Sequence, residues 1–88
     1  MKNTAITLLL AALPALSFAG EVNLNTADAE TLARELDGIG NARAEAIVDY
    51  REQHGSFLSA DELLNVTGIG EYILEANRGR ISVGQPEG

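Results

Sequence analysis

Cysteine is absent from this chain of 88 residues. Its absence excludes a disulfide framework, a thiolate metal site and a cysteine that accepts a lipid. Basic residues are also scarce, because six lysines and arginines stand against 13 aspartates and glutamates and the formal net charge is -7. A surface that attracts nucleic acid or anionic membranes through its overall charge is therefore excluded.

No apolar run of the sequence reaches the roughly 20 residues that span a bilayer. The most apolar stretch lies in MKNTAITLLLAALPALSFAG, where Lys2 precedes an almost wholly apolar segment over residues 5–13 and Pro14 interrupts it. The small residues of SFA then precede a cleavage point, so the pattern predicts a secretory signal peptide over residues 1–19. The alternative is a short membrane anchor or a first helix of the fold, and the lack of an amphipathic period argues against it.

Cleavage after Ala19 is expected to leave one small domain in the periplasm, without a membrane anchor. Subtracting the positive charge of Lys2 from -7 gives a formal charge of -8 for this mature part. Its basic residues are Arg34, Arg43, Arg51, Arg78 and Arg80. Any anion that the domain binds must therefore meet a local group of donors rather than a generally basic face.

Two helices are predicted in the first half of the mature chain, after a strand-like EVNLN segment. Thr26 is expected to cap the first helix through its hydroxyl, and Gly38 to end it because glycine takes a positive φ without strain. Gly55 is expected to end the second helix, NARAEAIVDYREQH, in the same way. The predicted core positions are Leu32, Leu36 and Ile39, followed by Ala44, Ile47, Val48 and Tyr50, with the stem of Arg51 packed and its head on a carboxylate or a carbonyl.

Two shorter helices are predicted in the second half. The third begins with a capping box at Ser59 and Glu62, flanked by a hydrophobic staple of Leu58 and Leu63. The fourth lies in EYILEANRG, RISV closes the domain as an extended segment, and residues 84–88 are predicted to be disordered. The predicted core residues of the third helix are Leu63, Leu64 and Val66, and the apolar residues of the fourth are Ile73, Leu74 and Ala76. Phe57 and Leu58 are expected to fill the junction between the halves.

The tetrad DGIG at residues 37–40 returns as TGIG at residues 67–70. In each copy a glycine begins the turn, an isoleucine points inward, and a second glycine precedes a new helix. Two helical hairpins that pack on each other make an all-α domain over residues 20–83. The first N–H groups of each new helix have no acceptor inside it, so each turn is also a candidate site for an anion such as a phosphate.

These features resemble tandem helix-hairpin-helix proteins, and specifically the ComEA family of competence proteins. The resemblance spans residues 22–83 through VNLNTA, LDGIGNARAEAIVDYREQHGSF, SADELLNVTGIG and the closing ISV. It implies a SAM-domain-like fold of four short helices, in an exported domain that binds double-stranded DNA without reading its sequence and supports DNA uptake in natural transformation. It also implies DNA-uptake pilus or inner-membrane channel components as partners.

In this family the hairpin amides bind DNA phosphates, and a basic side chain after each turn adds an ionic contact. By position, the first hairpin offers the amides of Asn41 and Ala42 and the guanidinium of Arg43. In the second hairpin, Glu71 and Tyr72 stand where the family usually has proline, lysine or other polar residues. The DNA-binding residues that the resemblance implies are Gly38, Ile39, Gly40, Asn41, Ala42, Arg43, Gly68, Ile69, Gly70, Tyr72, Arg78 and Arg80.

Three of the arginines assigned to DNA binding also suit purely structural positions. Arg43 also suits a solvated surface position, and Arg78 and Arg80 also suit the negative C-terminal end of the last helix. No enzyme is expected, because the mature part has no lysine and its one histidine, His54, is predicted at a helix end. No cofactor is expected other than a monovalent cation at the turn of residues 38–40.

A protein-interaction module is the competing interpretation for the whole domain. Photosynthetic extrinsic proteins of the PsbU type are similar in the closing segment ILEANRGRISV, and that resemblance implies paired hairpins that do not bind DNA. The poorly basic second hairpin favours this periplasmic protein-binding function, whereas the first hairpin with Arg43 favours DNA.

Overall fold

The computed structural model describes residues 21–84. The predicted signal peptide and all but the first residue of the predicted tail lie outside this range. The helices and strands are β1 (Val22–Asn23), α1 (Ala29–Glu35), α2 (Gly40–His54), a 3-10 helix (Ala60–Asn65), α3 (Glu71–Asn77), a short 3-10 turn (Arg78–Arg80) and β2 (Ile81–Ser82). They confirm the predicted order of two helical hairpins. None of the helices within the described residues has the length and apolar character needed to cross a membrane.

The two extended ends of the domain pair with each other. β1 and β2 are parallel, with Val22 opposite Ile81 and Asn23 opposite Ser82. The N–H of Leu24 extends the pairing by donating to the carbonyl of Ser82 at 2.9 Å. Parallel strands need a long crossover connection, which here is the whole helical domain.

Asn25 holds three separated segments together, and the sequence analysis missed it. Its side chain is buried, accepts from the N–H of Phe57 at 2.6 Å, and donates to the carbonyl of Phe57 at 3.0 Å. The same amide donates to the carbonyls of Val83 and Gly84 at 3.2 and 3.1 Å. One buried amide therefore ties the linker between the hairpins to both ends of the domain.

The start of α1 differs from the prediction. Asp28, rather than Thr26, caps the helix, because the Asp28 carboxylate accepts from the N–H of Thr31 at 2.9 Å. That backbone hydrogen bond also holds the pKa of Asp28 below its ordinary value. Thr26 lies in a preceding turn, where its own N–H donates to the carbonyl of Asn23 at 3.2 Å. At the other end, α1 stops at Glu35, before the glycine that was expected to end it.

The third helix is a 3-10 helix, and this changes which leucines it buries. Ser59 makes no side-chain cap; its carbonyl instead accepts from the N–H of Glu62 at 3.2 Å, so the capping-box prediction is wrong. Three residues per turn place Leu63 and Val66 on the same buried side. Leu64 is 41% exposed and Leu58 is 73% exposed, so Leu64 is no core residue and Leu58 forms no hydrophobic staple and fills no junction.

The core lies between the two hairpins. Its buried residues are Val22, Leu24, Leu32, Leu36, Ile39, Ala44, Ile47, Phe57, Leu63, Val66, Ile69 and Leu74. Phe57 is fully buried at the junction, as predicted. The head of Arg51 donates to the carbonyls of Leu24 and Ala27 at 2.8 and 2.7 Å, which confirms its predicted structural role. Gly55 ends α2 at a φ of 96°, also as predicted.

Candidate nucleic-acid interface

The first hairpin turn, residues 37–40, depends on two glycines with positive φ. Gly38 has a φ of 77° and Gly40 a φ of 65°, a region in which other residues are strained. Ile39 lies between them with its side chain buried in the core, which anchors the turn. A Cβ on Gly40 would have nothing within 4 Å, so the backbone there is open to a close approach from outside.

The turn leads directly into the N-terminus of α2, which no side chain caps. The N–H groups of Gly40, Asn41 and Ala42 have no acceptor within the helix by its geometry. All three residues are exposed, and the first turn of this 15-residue helix contains no acidic side chain. Partial positive charge at the helix end is therefore open to an anion and is not offset by an acidic side chain of that first turn.

Arg43 lies in the same helical turn and reaches across to the other hairpin. Its Nε donates to the carbonyl of Gly68 at 2.7 Å, and a Cβ on Gly68 would lie 3.4 Å from its Cγ. Within residues 21–84, no carboxylate pairs with Arg43 and no acceptor bonds its Nη1 or Nη2. The guanidinium is thus held in place by one nitrogen, while its other two nitrogens are available to a phosphate.

The second hairpin turn, residues 67–70, is less suited to an anion. Gly68 has a φ of 92°, but Gly70 is extended at a φ of -112°. The following helix α3 has seven residues and carries Glu71 in its first turn. That carboxylate offsets the positive helix end. Ile69 is buried like its counterpart in the first hairpin, and Tyr72 is 86% exposed.

The two arginines after α3 have acidic partners of their own. Arg78 lies 2.6 Å from a carboxylate oxygen of Glu75 and 2.9 Å from one of Asp61. These contacts raise the pKa of Arg78 and lower that of Glu75. Arg80 lies 3.8 Å from a carboxylate oxygen of Glu35. The structure does not bring either arginine to the hairpin turns as an unpaired cation, and their contact with DNA stays a prediction.

Asn77 lies behind the candidate interface, bonds its first turn, and was missed by sequence reasoning. It is only 1% exposed, and its Oδ1 accepts from the N–H of Asp37 at 2.8 Å. Its Nδ2 donates to the carbonyls of Asp37 and Ile73 at 2.9 Å each. The signal was its position, because Asn77 follows Ile73 and Leu74 by four and three residues, on the apolar side of the last helix.

His54 and the acidic side chains are the candidate metal ligands of this part of the chain. Residues 21–84 contain no cluster of three histidine, cysteine, aspartate or glutamate side chains that would hold a metal ion. The ring of His54 stacks on Tyr50 with centroids 4.2 Å apart, and its Nδ1 lies 3.2 Å from the Tyr50 carbonyl oxygen. These two contacts hold the His54 ring against Tyr50 at the C-terminal end of α2.

A family model described as a helix-hairpin-helix motif matches residues 17–82, which is most of the chain. The chain belongs to the helix-hairpin-helix family. This membership agrees with the two turns that the structure places side by side, and it confirms the predicted tandem hairpin fold.

Several relatives share this helix-hairpin-helix region. An uncharacterized protein of Haemophilus influenzae is 54% identical over 61 residues, covering 69% of this chain and 54% of that protein. ComE operon protein 1 of Bacillus subtilis is 42% identical over 62 residues, covering 70% of this chain and 30% of that protein, which confirms the predicted ComEA-like character. The chain therefore spans at most about half of these relatives' lengths.

A more distant relative carries the name of a catalytic family. Endonuclease/exonuclease/phosphatase family domain-containing protein 1 of Rattus norvegicus is 39% identical over 62 residues. The match covers 68% of this chain but only 10% of the rat protein. The likeness is thus confined to a small helix-hairpin-helix segment and carries no catalytic assignment.

Proposed function

We propose that this domain binds double-stranded DNA in the periplasm, without regard to base sequence, and supports DNA uptake in natural transformation. The observation that carries the proposal is the uncapped N-terminus of α2 beside Arg43, the exposed arginine without a carboxylate partner among residues 21–84. Membership of the helix-hairpin-helix family and the likeness to ComE operon protein 1 support a non-catalytic, DNA-binding protein.

The donors at the first turn suit phosphate rather than bases. Backbone amides at a helix N-terminus bind an anionic oxygen through hydrogen bonds and the helix dipole. A guanidinium adds a charge-assisted bond with a planar pair of donors. Contacts with phosphates position a protein on the duplex and carry no sequence information, so binding without base preference follows from this donor set.

The negative charge of the domain limits its affinity. With a formal charge of -8 for the domain, which is the -7 of the full chain without Lys2, long-range steering opposes the approach of DNA, and only the local donors favour it. We expect a dissociation constant of about 10⁻⁴ to 10⁻⁶ M, the range of non-specific binding. The ion pairs of Arg78 and Arg80 leave few cations available, so we expect a log–log salt slope of about -1 to -2, from roughly -0.9 per neutralised phosphate.

Weak binding is compatible with retention of DNA by many copies. A chain that coats incoming duplex opposes its backward movement even if each copy dissociates readily. The location rests on the signal-peptide pattern of residues 1–19. Fractionation of cells that express the full chain with a C-terminal tag tests it: we expect the shortened form in the periplasm, and a full-length form in the cytoplasm would contradict export.

Fluorescence anisotropy with a labelled duplex tests DNA binding. Residues 20–88 contain every core residue of the described structure and are the form to use. Wild type is compared with Arg43→Glu and with the control Arg34→Glu, which makes the same charge change at an exposed arginine that is paired with Glu35. We expect saturable binding that Arg43→Glu abolishes and Arg34→Glu weakens only slightly. Absence of saturable binding by wild type at about 50 mM salt would refute the proposal.

Protein binding is the second candidate function. Tyr72 is 86% exposed, and tyrosine is enriched among the residues that dominate protein interfaces. Leu58 is a second large apolar side chain on the surface, at 73% exposure. The two functions respond differently to substitution. A protein complex should survive Arg43→Glu and weaken with Tyr72→Ala. DNA binding should instead be lost with Arg43→Glu and survive Tyr72→Ala.

A further inference from the structure

Each hairpin turn is held by a side chain that belongs to the other hairpin. Arg43 of the first hairpin donates to the carbonyl of Gly68 in the second turn at 2.7 Å. Asn77 of the second hairpin bonds both backbone polar groups of Asp37, at the start of the first turn. The two turns are therefore braced in both directions, by contacts between residues 25 and 40 positions apart.

Asn77 holds the first turn as a neighbouring peptide group would. Its Oδ1 accepts from the Asp37 N–H at 2.8 Å while its Nδ2 donates to the Asp37 carbonyl at 2.9 Å. The second N–H of the amide donates to the carbonyl of Ile73 at 2.9 Å. A buried amide without partners would be costly, and this one has a partner for each polar atom. The two peptide groups that flank the Cα of Asp37 are consequently fixed in orientation.

A second residue of α3 supports the same turn. Ile73 lies one helical turn before Asn77, so the two side chains share a face of α3. A Cβ on Gly38 would lie 3.6 Å from the Cγ1 of Ile73, which places this side chain directly against the glycine. The backbone of the turn is thus held at two successive residues, Asp37 and Gly38, immediately before the uncapped amides of α2.

We propose that Asn77 is a positioning residue for the phosphate site of the first hairpin. It contacts no DNA itself, because it is buried; it acts through the Asp37 peptide, which sets the course of residues 38–40 and the place of the Asn41 and Ala42 amides. Binding groups must be held within about 0.5 Å of their productive positions to be effective. The proposal rests on the proposed function, since positioning matters to affinity only where this turn binds phosphate.

A matched pair of buried asparagines separates positioning from stability. Asn77→Ala removes the hold on the first turn. Asn25→Ala removes another buried amide, which bonds the Phe57 linker and the C-terminal end of the domain instead. Both variants are expected to be less stable, so duplex binding is measured at a temperature where circular dichroism shows both to be folded.

We expect Asn77→Ala to bind duplex about fivefold more weakly with an unchanged salt slope, because the amides are misplaced while Arg43, the cation of the site, is kept. Asn25→Ala should keep the affinity and the slope of the wild type. Equal losses in both variants, or wild-type binding by Asn77→Ala, would overturn the proposal. If Asn77→Ala does not fold, Ile73→Ala takes its place, because Ile73 is only half-buried and touches the same turn.

Amide chemical shifts in the absence of DNA give a second readout. Asn77→Ala should move the amide resonances of Gly38 and Gly40, and Asn25→Ala should leave them in place. Unchanged resonances in Asn77→Ala would refute positioning. If the wild type binds no duplex, the proposed function fails, while these resonances still decide whether Asn77 sets the geometry of the turn.

Discussion

The two hairpins have the same Gly-Ile-Gly core in sequence but present different surfaces. In both, the first glycine has a positive φ and the isoleucine is buried. They diverge at the second glycine, which has a φ of 65° at position 40 and -112° at position 70. The helix that follows is 15 residues long in the first hairpin, and seven residues long with an acidic first turn in the second. The two copies of this motif therefore share the packing of the turn but differ in their capacity to bind an anion.

The contacts between the hairpins suggest a division of labour. The first hairpin presents the uncapped amides of α2 and Arg43. The second hairpin provides the groups that hydrogen-bond them in place: the Gly68 carbonyl accepts from Arg43, and the Asn77 side chain bonds the backbone of Asp37. On this interpretation the second hairpin contributes to DNA binding mainly by holding the first. Four experiments test the contrast, from the largest expected effect to the smallest.

Alanine at the second glycine of each hairpin tests the difference in backbone. Gly40→Ala places a side chain at positive φ, and we expect it to lower the free energy of unfolding by about 1–2 kcal/mol. Gly70→Ala keeps an extended backbone and should be neutral or stabilising by about 0.4–1 kcal/mol, because it restricts the unfolded chain. Urea denaturation measures both. Equal destabilisation by the two variants would show that the turns are alike.

A basic residue in place of Glu71 tests whether the second turn fails to bind phosphate only because it lacks positive charge. Glu71→Lys should tighten duplex binding about fivefold, since an added exposed ion contact contributes about 1 kcal/mol at most. It should also steepen the salt slope by about 0.9. Glu30→Lys is the matched control, because Glu30 is the first-turn acid of another seven-residue helix, at the end of α1 remote from the first hairpin turn. An equal gain in the control would indicate an effect of net charge alone.

Lysine at position 43 tests the planar bridge between the hairpins. Arg43→Lys keeps the charge, but an ammonium lacks the fork that holds the Gly68 carbonyl and a phosphate at once. We expect duplex binding to weaken about two- to threefold, with the salt slope unchanged. Anisotropy at several salt concentrations measures both quantities. Full affinity in the lysine variant would mean that charge alone matters at this position.

Acid unfolding compares a carboxylate of each hairpin and gives the smallest effect. Asp28 and Glu75 both have a pKa below its ordinary value, of 3.8 and 4.5 respectively, so each stabilises the fold above that value. This stabilisation is lost as the pH falls through the lowered pKa. Asp28→Asn should flatten the fall in melting temperature between about pH 5 and 3, because asparagine also caps a helix.

Salt then distinguishes the two carboxylates. Glu75 depends mainly on Arg78, an exposed ion pair that about 0.5 M salt screens. Asp28 depends mainly on an uncharged backbone N–H of Thr31, which salt affects less. The change of melting temperature with pH that remains at high salt should therefore disappear in Asp28→Asn. If this change persists in the variant, the assignment to that carboxylate is contradicted.

The sequence by itself determined the order of the hairpins, the inward isoleucines and the glycines at the turns. These features are local, since apolar spacing of three and four residues defines a helix face and a positive φ belongs to one residue. Local signals were wrong where two structures compete for the same residues. The apparent capping box at Ser59 became a 3-10 helix, which turned Leu64 outward.

Only the tertiary structure decided which polar groups are available. Arg43, Arg78 and Arg80 look equivalent along the chain, but Arg78 and Arg80 meet carboxylates while Arg43 meets a carbonyl. Asn25 and Asn77 look like ordinary surface residues, yet both are buried and join segments 32 and 40 residues apart. Such pairings form only when distant segments pack, because a buried polar group must find whichever partner the fold places beside it.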